Sequence, residues 1–185
     1  MRVRPFWSDP VEDVRPFWSS FLGVGTFDSQ RFRQVLGRVP TSVVVVTGFD
    51  ADGAPQGITI GSFVSVSLDP PLVGFLPGTG SRTWSAVAAS GKFSVNVLGA
   101  SQGDLCWKFA KEAEDRFADV DWTPSDNGCP RLAGAIVVID CDLESNAVHG
   151  DHHFAVGRVT HLDTHGDENA MAFYRGKVVP VIPAG

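Results

Sequence analysis

The sequence predicts a mainly β protein, an antiparallel β-barrel with a few peripheral helices. Strand-like segments dominate the 185 residues, and helical segments do not alternate regularly with them, which excludes a doubly wound parallel sheet. The glycine pair in Gly23-Val24-Gly25 does not begin a dinucleotide-binding unit, because position 28 holds Asp instead of a third glycine and no strand precedes the pair.

The individual elements follow from side-chain spacing and turn residues. Phe32, Val35 and Leu36 lie at helical spacing behind Asp28, a good capping residue, and predict a first helix that Pro40 ends. The full prediction comprises helices at 27–39, 81–89 and 101–111, strands at 43–49, 56–68, 72–76, 92–98, 135–145 and 153–162, a hairpin turn at 50–53, a loop at 117–130 and a short helix or strand at 168–174.

Composition bounds the class of protein. The length and the 43% hydrophobic content suit one domain with a substantial core, and a net charge of −6 excludes the basic surface that nucleic acids and anionic membranes require. No apolar run approaches the roughly 18 residues that span a bilayer, and the charged N-terminus lacks the apolar region of a signal peptide. The three cysteines form no CxxC pair and are expected to be buried thiols, so we expect a cytoplasmic protein without membrane or nucleic-acid partners.

Residues 1–25 differ from the rest and predict an irregular N-terminal arm, followed by one domain over 26–185. The arm carries Val-Arg-Pro-Phe-Trp-Ser twice, at 3–8 and at 14–19. Two interpretations stay open. The repeat is either a plain irregular extension, or an arm whose large aromatic residues dock on the body or on a second subunit, because they would promote association if left in water.

Segment 57–72 has strand composition with an unusual polar row. Ser65 and Ser67 alternate with valines, which predicts a wet or ligand-facing surface backed by a core. Gly61 lacks a Cβ and allows close approach to the backbone, and Pro70-Pro71 is expected to end the ladder. A flat polar ligand, read mostly by main-chain groups, would suit such a surface.

Several short segments resemble, in order, those of one family. They are Arg38–Thr41, Val43–Thr47, 57–72, Ser81–Trp84, Phe93–Leu98, Lys108–Ala110, Asp115–Phe117, Gly150–His152, Val156–Val159 and Phe173–Gly176. The chain is similar over most of its length to the short-chain flavin reductases, FMN-binding split-barrel proteins that supply reduced flavin to two-component monooxygenases. This resemblance implies a Greek-key-like split barrel, a homodimer, a monooxygenase partner, FMN or FAD, and NADH, with NADPH possible. The lack of a basic cluster near Gly150 favours NADH.

The resemblance also implies a flavin site built from several segments. Without it, the same residues would be read as a barrel strand with its hydroxyls in water. Ser42 stands where many relatives carry glycine, and Gly61 where many carry serine or asparagine, so the choice between FMN and FAD stays open. The implied flavin contacts are Thr59, Ile60, Gly61 and Ser62 at the isoalloxazine edge, Ser65, Val66 and Ser67 near the ring and ribityl chain, and Pro40, Thr41, Ser42 and Val43 on another wall.

Ser81-Arg82 predicts an anion site. Ser81 is placed to cap a helix, and a guanidinium in the first turn beside free backbone N–H groups would attract the flavin 5′-phosphate. An arginine at this end opposes the helix dipole, which favours an anionic partner. The alternative is a solvated surface arginine.

A histidine-rich turn is the candidate nicotinamide site. The resemblance implies that His152 places the nicotinamide and is the catalytic residue. One alternative is a metal site of His149 and His152, with His161 and His165 nearby in sequence. It lacks a carboxylate or cysteine to complete it, so we expect no metal; another alternative is plain loop histidines. The implied contacts are His149, Gly150, Asp151 and His152.

Aromatic residues add further candidates. Phe109 and Tyr174 have rings that could stack on a cofactor, although core packing is the main expectation for Phe109. Trp84 is expected in the core, and Asp115-Arg116 is expected to form a surface or subunit-interface ion pair.

These observations predict an NAD(P)H-dependent flavin reductase. Hydride transfer needs little from side chains, because the cofactors carry the reaction and the protein holds two rings face to face. Two alternatives stay open: a flavin-binding split-barrel protein without free-flavin reductase activity, such as a carrier or an oxidase, and a non-enzymatic interaction domain that uses the arm.

Overall fold

The computed structural model describes residues 28–111, 113 and 115–183 and divides the chain into two units, residues 1–36 and 37–185. The predicted arm lies outside the described residues. In the first unit, helix α1 (Ser29–Leu36) ends three residues earlier than predicted. Its cap is the predicted one, because Asp28 Oδ1 accepts a hydrogen bond from Arg31 N at 2.7 Å.

The described part of the second unit is dominated by strands. Its elements are β1 (Thr41–Ser42), β2 (Val44–Phe49), β3 (Pro55–Ile60), β4 (Val64–Leu68), β5 (Pro71–Phe75), α2 (Arg82–Ala89), β6 (Lys92–Leu98), a 3-10 turn (Ala100–Gln102), α3 (Gly103–Ala110), β7 (Trp122–Pro124), β8 (Pro130–Leu132), β9 (Ala135–His149), β10 (His152–Thr164), β11 (Met171–Tyr174) and β12 (Lys177–Pro180).

Seven of these strands form one sheet in the order β3-β2-β6-β9-β10-β5-β4, while β1, β11 and β12 form a second and β7 and β8 a third. Every pair among the described strands is antiparallel. The predicted mainly β, antiparallel fold class with peripheral helices is therefore confirmed.

Strand β2 lies between two hydrophobic cores because valines cover both of its faces. Val44 and Val46 belong to the first core, in which the rings of Phe75, Trp84 and Phe93 pack edge to face with centroids 4.9 to 5.9 Å apart. Val45, which lies between them, and Val43, which precedes the strand, belong to the second core together with Phe109 of α3. Trp84 is fully buried, as predicted.

The predicted long strand at 56–68 is wrong, because this segment forms two strands. β3 ends at Ile60 and β4 begins at Val64, and the two lie at opposite ends of the seven-stranded order. The chain leaves the sheet at residues 61–63, which lie outside the ladders. Hydrogen bonds to Ser42 and Leu76, which lie in distant segments, fix the backbone of residues 61–63.

Strand β4 is an edge strand with a bulge, and the predicted core behind its valines is wrong for this chain. Its register shifts between Ser65 and Ser67, which makes Val66 the extra residue. Val64, Val66 and Leu68 are 47%, 42% and 91% exposed. The bulge disturbs the strict alternation on which the prediction rested.

Smaller differences concern strand ends. Strand β4 ends before Pro70, as predicted, but Pro71 is the first residue of β5 and lies opposite Leu68 in the ladder. The predicted loop at 117–130 contains β7, which pairs with β8. The segment 168–174 forms a strand, β11, and its partner β12 was not predicted.

Candidate functional site

A cavity of about 860 Å³ lies where helix α2 begins. Ser81, Arg82 and Thr83 line it from the helix, Gln56 from β3, and Arg116 from the segment after α3. Two arginines thus line one cavity, and none of its described lining residues is acidic. The donor set suits a phosphate group.

The helix start is built as the sequence predicts. Ser81 Oγ accepts a hydrogen bond from Trp84 N at 3.1 Å and caps the first turn. Arg82 is exposed, and no described residue forms an ion pair with it. Its charge is therefore available to an anion in the cavity.

Arg116 forms three hydrogen bonds that the sequence did not predict. Its Nε donates to Lys111 O at 2.7 Å, and its Nη1 donates to Gly57 O at 3.0 Å and to Thr83 Oγ1 at 2.6 Å. The predicted ion pair with Asp115 is wrong, because that carboxylate caps the two backbone N–H groups that follow Arg116. The only sequence signal for Arg116 was its place in a segment of the family resemblance.

The tip between β9 and β10 carries the predicted nicotinamide contacts, and residues 149–152 are all exposed there. His152 Nδ1 lies 2.8 Å from Asp151 Oδ1. The carbonyl of Asp151 accepts from Thr79 N at 2.9 Å and from Thr79 Oγ1 at 3.1 Å, and Gly78 forms a β-bridge with His152. Gly78 also lines the cavity, so the structure brings the tip and the helix cap together.

The two predicted walls of the flavin site also meet. Ser42 Oγ donates to Phe63 O at 3.3 Å. A Cβ on Gly61 would lie 3.2 Å from Thr41 Oγ1, so glycine allows the segments 41–42 and 61–63 to approach closely.

Two of the predicted hydroxyl contacts are occupied within the protein. Thr59 Oγ1 donates to Cys106 O at 2.7 Å, and Ser62 Oγ accepts from Leu76 N at 2.9 Å. The second bond ties the wall to the loop that leads into α2. Ligand contact at this wall therefore depends mainly on backbone groups of residues 61–63 and on the exposed Ser65.

Four predicted residues lie away from an open surface. Val43 and Ile60 are buried in different cores, so their side chains form no common wall. Phe109 touches the cavity but has no exposed area, in agreement with the core packing expected of it. Tyr174 is half-buried, and Arg175 lies 5.1 Å above its ring.

The remaining titratable groups form no second chemical centre in the part of the chain that the structure describes. No group of three or more metal-ligating side chains is present there, and His161 pairs with Asp126 at 3.0 Å. All three cysteines are buried. Burial raises the pKa of each thiol. The pKa rises to about 11 for Cys129 and to about 12 for Cys141, and burial also raises that of Cys106. No described helix has the length and apolarity to cross a membrane.

Comparison with known proteins gives one consistent result. Residues 36–181 match the family described as "Flavin reductase like domain". A flavin reductase of Pseudomonas putida is 46% identical over 149 residues, which cover 80% of this chain and 88% of that protein. The reductase subunit HsaB of a flavin-dependent monooxygenase from Rhodococcus jostii is 45% identical over 156 residues, covering 84% and 80%.

A solved structure agrees in fold. The NADH:FAD oxidoreductase SgcE6 of Streptomyces globisporus, in complex with NAD and FAD fragments, superimposes with a TM-score of 0.79 at 34% identity. The match covers 84% of this chain and 94% of that one. The predicted split-barrel fold is thereby confirmed.

Proposed function

The chain belongs to the family of flavin reductase-like domains, and from this premise we propose that it oxidises NADH, reduces FMN or FAD and passes the reduced flavin to a partner monooxygenase. Flavin reductase activity and the use of a flavin and NADH, all predicted from the sequence, are confirmed by the relatives. The observation that carries the site assignment is the junction of the capped helix α2 with the hairpin tip through Gly78 and Thr79.

In this proposal the helix cap holds the flavin 5′-phosphate. Backbone N–H groups of the first turn and the guanidinium of Arg82, which forms an ion pair with no described residue, are the donors. The backbone donors are positioned before the ligand arrives, since the bond from Trp84 N to Ser81 Oγ already fixes the first turn.

The isoalloxazine ring lies, in this proposal, against residues 61–63 and the exposed face of Ser65, with Thr41 and Ser42 on the other wall. The backbone there lies outside the ladders and can donate to the pyrimidine edge of the ring. The bonds of Ser42 and Ser62 to neighbouring segments fix this backbone in place.

His152 places the nicotinamide, in this proposal, and Asp151 orients its imidazole through Nδ1, which leaves Nε2 for the ligand. When both are bound, the nicotinamide supplies a hydride and flavin N5 accepts it. The tip favours NADH, because residues 149–153 contain Asp151 and neither lysine nor arginine to bind a 2′-phosphate.

We further propose a homodimer that buries the exposed apolar row of β4. This row consists of the exposed side chains of Val64, Val66 and Leu68 on β4, which pairs with β5 alone among the described strands. Sedimentation of the wild-type chain and of Leu68→Asp checks it: a dimer is expected for the first and a monomer for the second. A wild-type monomer at micromolar concentration would contradict the dimer.

The cellular setting is also a proposal. We assign the protein to the cytoplasm, and the three buried cysteines, which form no disulfide, support this assignment. We also propose that residues 26–185 are the catalytic domain and that residues 1–25 are an arm. Compartment-specific labelling of the native protein tests the first assignment, and deletion of residues 1–25 tests the second through unchanged flavin turnover.

A turnover assay tests the reductase itself. NADH and NADPH oxidation is followed with FMN, FAD and riboflavin in all combinations, and NADH with a phosphorylated flavin is expected to be fastest. Protein that binds flavin tightly without turnover would instead indicate a carrier, and protein that binds no flavin would contradict the proposal.

A further inference from the structure

We propose that Arg116 is a second cation of the flavin phosphate site, held ready by three acceptors of the protein itself. This inference rests on the proposed function, because it assigns a residue to the ligand named there.

The hydrogen bonds of Arg116 leave part of its guanidinium unused. Of the five N–H donors of an arginine, Nε–H binds Lys111 O and the two of Nη1 bind Gly57 O and Thr83 Oγ1. All three acceptors are neutral, so the positive charge stays uncompensated within the described residues. The two N–H groups of Nη2 have no described partner.

The position of Arg116 is fixed from three directions. Gly57 belongs to β3, Thr83 to the first turn of α2, and Lys111 is the C-cap residue that follows α3. An arginine held in this way loses little conformational freedom when an anion binds, and a lysine cannot reproduce the planar fork. Arg116 lines the same cavity as Arg82, so the two cations approach one ligand from different elements.

The bond to Thr83 gives Arg116 a second effect. Together with the bond to Gly57, it joins the first turn of α2, where the proposed phosphate contacts lie, to strand β3 through one guanidinium. Arg116 therefore both adds charge and holds the helix cap against β3.

The experiment compares FMN with riboflavin, which lacks the phosphate. Dissociation constants are measured by flavin fluorescence quenching, without NADH, for wild type, Arg116→Gln and Arg116→Lys. Arg116→Gln is expected to weaken FMN binding about 10- to 100-fold and riboflavin binding less than about 2-fold. Arg116→Lys is expected to fall between wild type and Arg116→Gln, because it keeps the charge and loses the fork.

Arg158→Gln is the matched control for net charge. Arg158 lies outside the cavity and pairs with Glu144 at 2.7 Å, so both flavins should bind this variant as they bind wild type. The salt dependence of FMN binding should become weaker in Arg116→Gln and stay unchanged in Arg158→Gln.

Three results would overturn the inference. One is an equal loss for FMN and riboflavin in Arg116→Gln and Arg116→Lys, which indicates a purely structural role. Another is unchanged FMN binding in both variants. The third is an equal effect of Arg158→Gln. If Arg116→Gln does not fold, as judged by its unfolding transition, Arg116→Lys decides alone. A wild-type protein that binds neither flavin would instead refute the proposed function, and is thereby distinguished from these outcomes.

Discussion

Two polar regions of this chain differ in whether their hydrogen-bonding groups are satisfied within the protein. Between β6 and β9, Asp140 is fully buried, and its carboxylate accepts hydrogen bonds from Ser94 Oγ and, at 3.1 Å, from Asn127 N. In the cavity beside α2, Arg82 and Arg116 carry charges that no described carboxylate neutralises. Polar groups that hold the fold are satisfied internally, whereas those assigned to a ligand keep donors free.

The buried region extends beyond Asp140. Asn96 Nδ2 donates to Thr47 Oγ1 at 3.0 Å, and Asn96 Oδ1 accepts from Leu132 N at 2.8 Å. Thr47 Oγ1 in turn donates to Pro130 O at 2.5 Å. This network attaches the segment 125–132 to the main sheet, so its loss should affect stability and leave the cavity intact.

The strongest test of this contrast is Asp140→Ala. It removes the acceptor of the buried Ser94 hydroxyl and of the partly buried Asn127 N–H and leaves a cavity in the core, so the free energy of unfolding should fall by about 3 kcal/mol in urea titrations. The dissociation constant for FMN at 25 °C should stay within about 2-fold of wild type. Asp142→Ala, an exposed change on the same strand, should have little effect on stability. A large loss of FMN affinity in folded Asp140→Ala would break the comparison.

Arg82→Gln should show the reverse pattern. Removal of a charge-assisted hydrogen bond should weaken FMN binding by about 1.5 to 3 kcal/mol, or roughly 10- to 100-fold, and riboflavin binding hardly at all. Because Arg82 is exposed and forms no described ion pair, the free energy of unfolding should change by less than about 0.5 kcal/mol. Fluorescence titration and urea unfolding of the same sample check both expectations. Equal losses for the two flavins would contradict the phosphate assignment.

His152→Ala should have a smaller effect, confined to the nicotinamide. One lost hydrogen bond of about 1 to 1.5 kcal/mol predicts a KM for NADH raised up to about 10-fold, with the dissociation constant for FMN unchanged. Steady-state kinetics at saturating FMN measures this, with His149→Ala as the control from the other side of the same tip. A larger effect in His149→Ala would show that the wrong histidine has been assigned.

The buried thiols should show almost no native reactivity. Burial raises the pKa of Cys129 to about 11 and that of Cys141 to about 12, from an ordinary value of 9.0, so both stay protonated in the folded protein at pH 8. Their contribution to stability is full below pH 9 and is lost as the pH rises toward 11 and 12, because only the unfolded thiols then ionise. A thiol-reactive dye at pH 8 should label no cysteine in native protein and three in urea. Rapid labelling of the native protein would contradict this burial.

Much of the fold was predictable because its signals are local. The strand at 92–98 follows from its own alternation, and the cap at Ser81 needs only the residues that follow it. The break at 61–63 was missed because Ser62 bonds to Leu76, which local spacing does not report. The valine face of β4 was misjudged for a similar reason, since the bulge depends on its pairing with β5.

The candidate site shows the same division between local and distant contacts. The helix-cap pattern pointed to Arg82 and the family resemblance to His152, and the structure joins their segments where Gly78 bridges to His152. Arg116 was misassigned because its acceptors, Gly57 and Thr83, lie 59 and 33 residues away in the chain. Side chains whose partners come from distant elements are those for which sequence reasoning has the least information.

The two hydrogen bonds from Thr79 to the carbonyl of Asp151 have a consequence for redesign. A graft that exchanges residues 149–152 to change the preferred electron donor must keep that carbonyl within reach of Thr79, or the loop before α2 will shift with it. A transplanted tip should therefore be carried over together with residues 77–82, because these two bonds couple the backbone of the proposed nicotinamide contacts to the loop that leads into the proposed phosphate site.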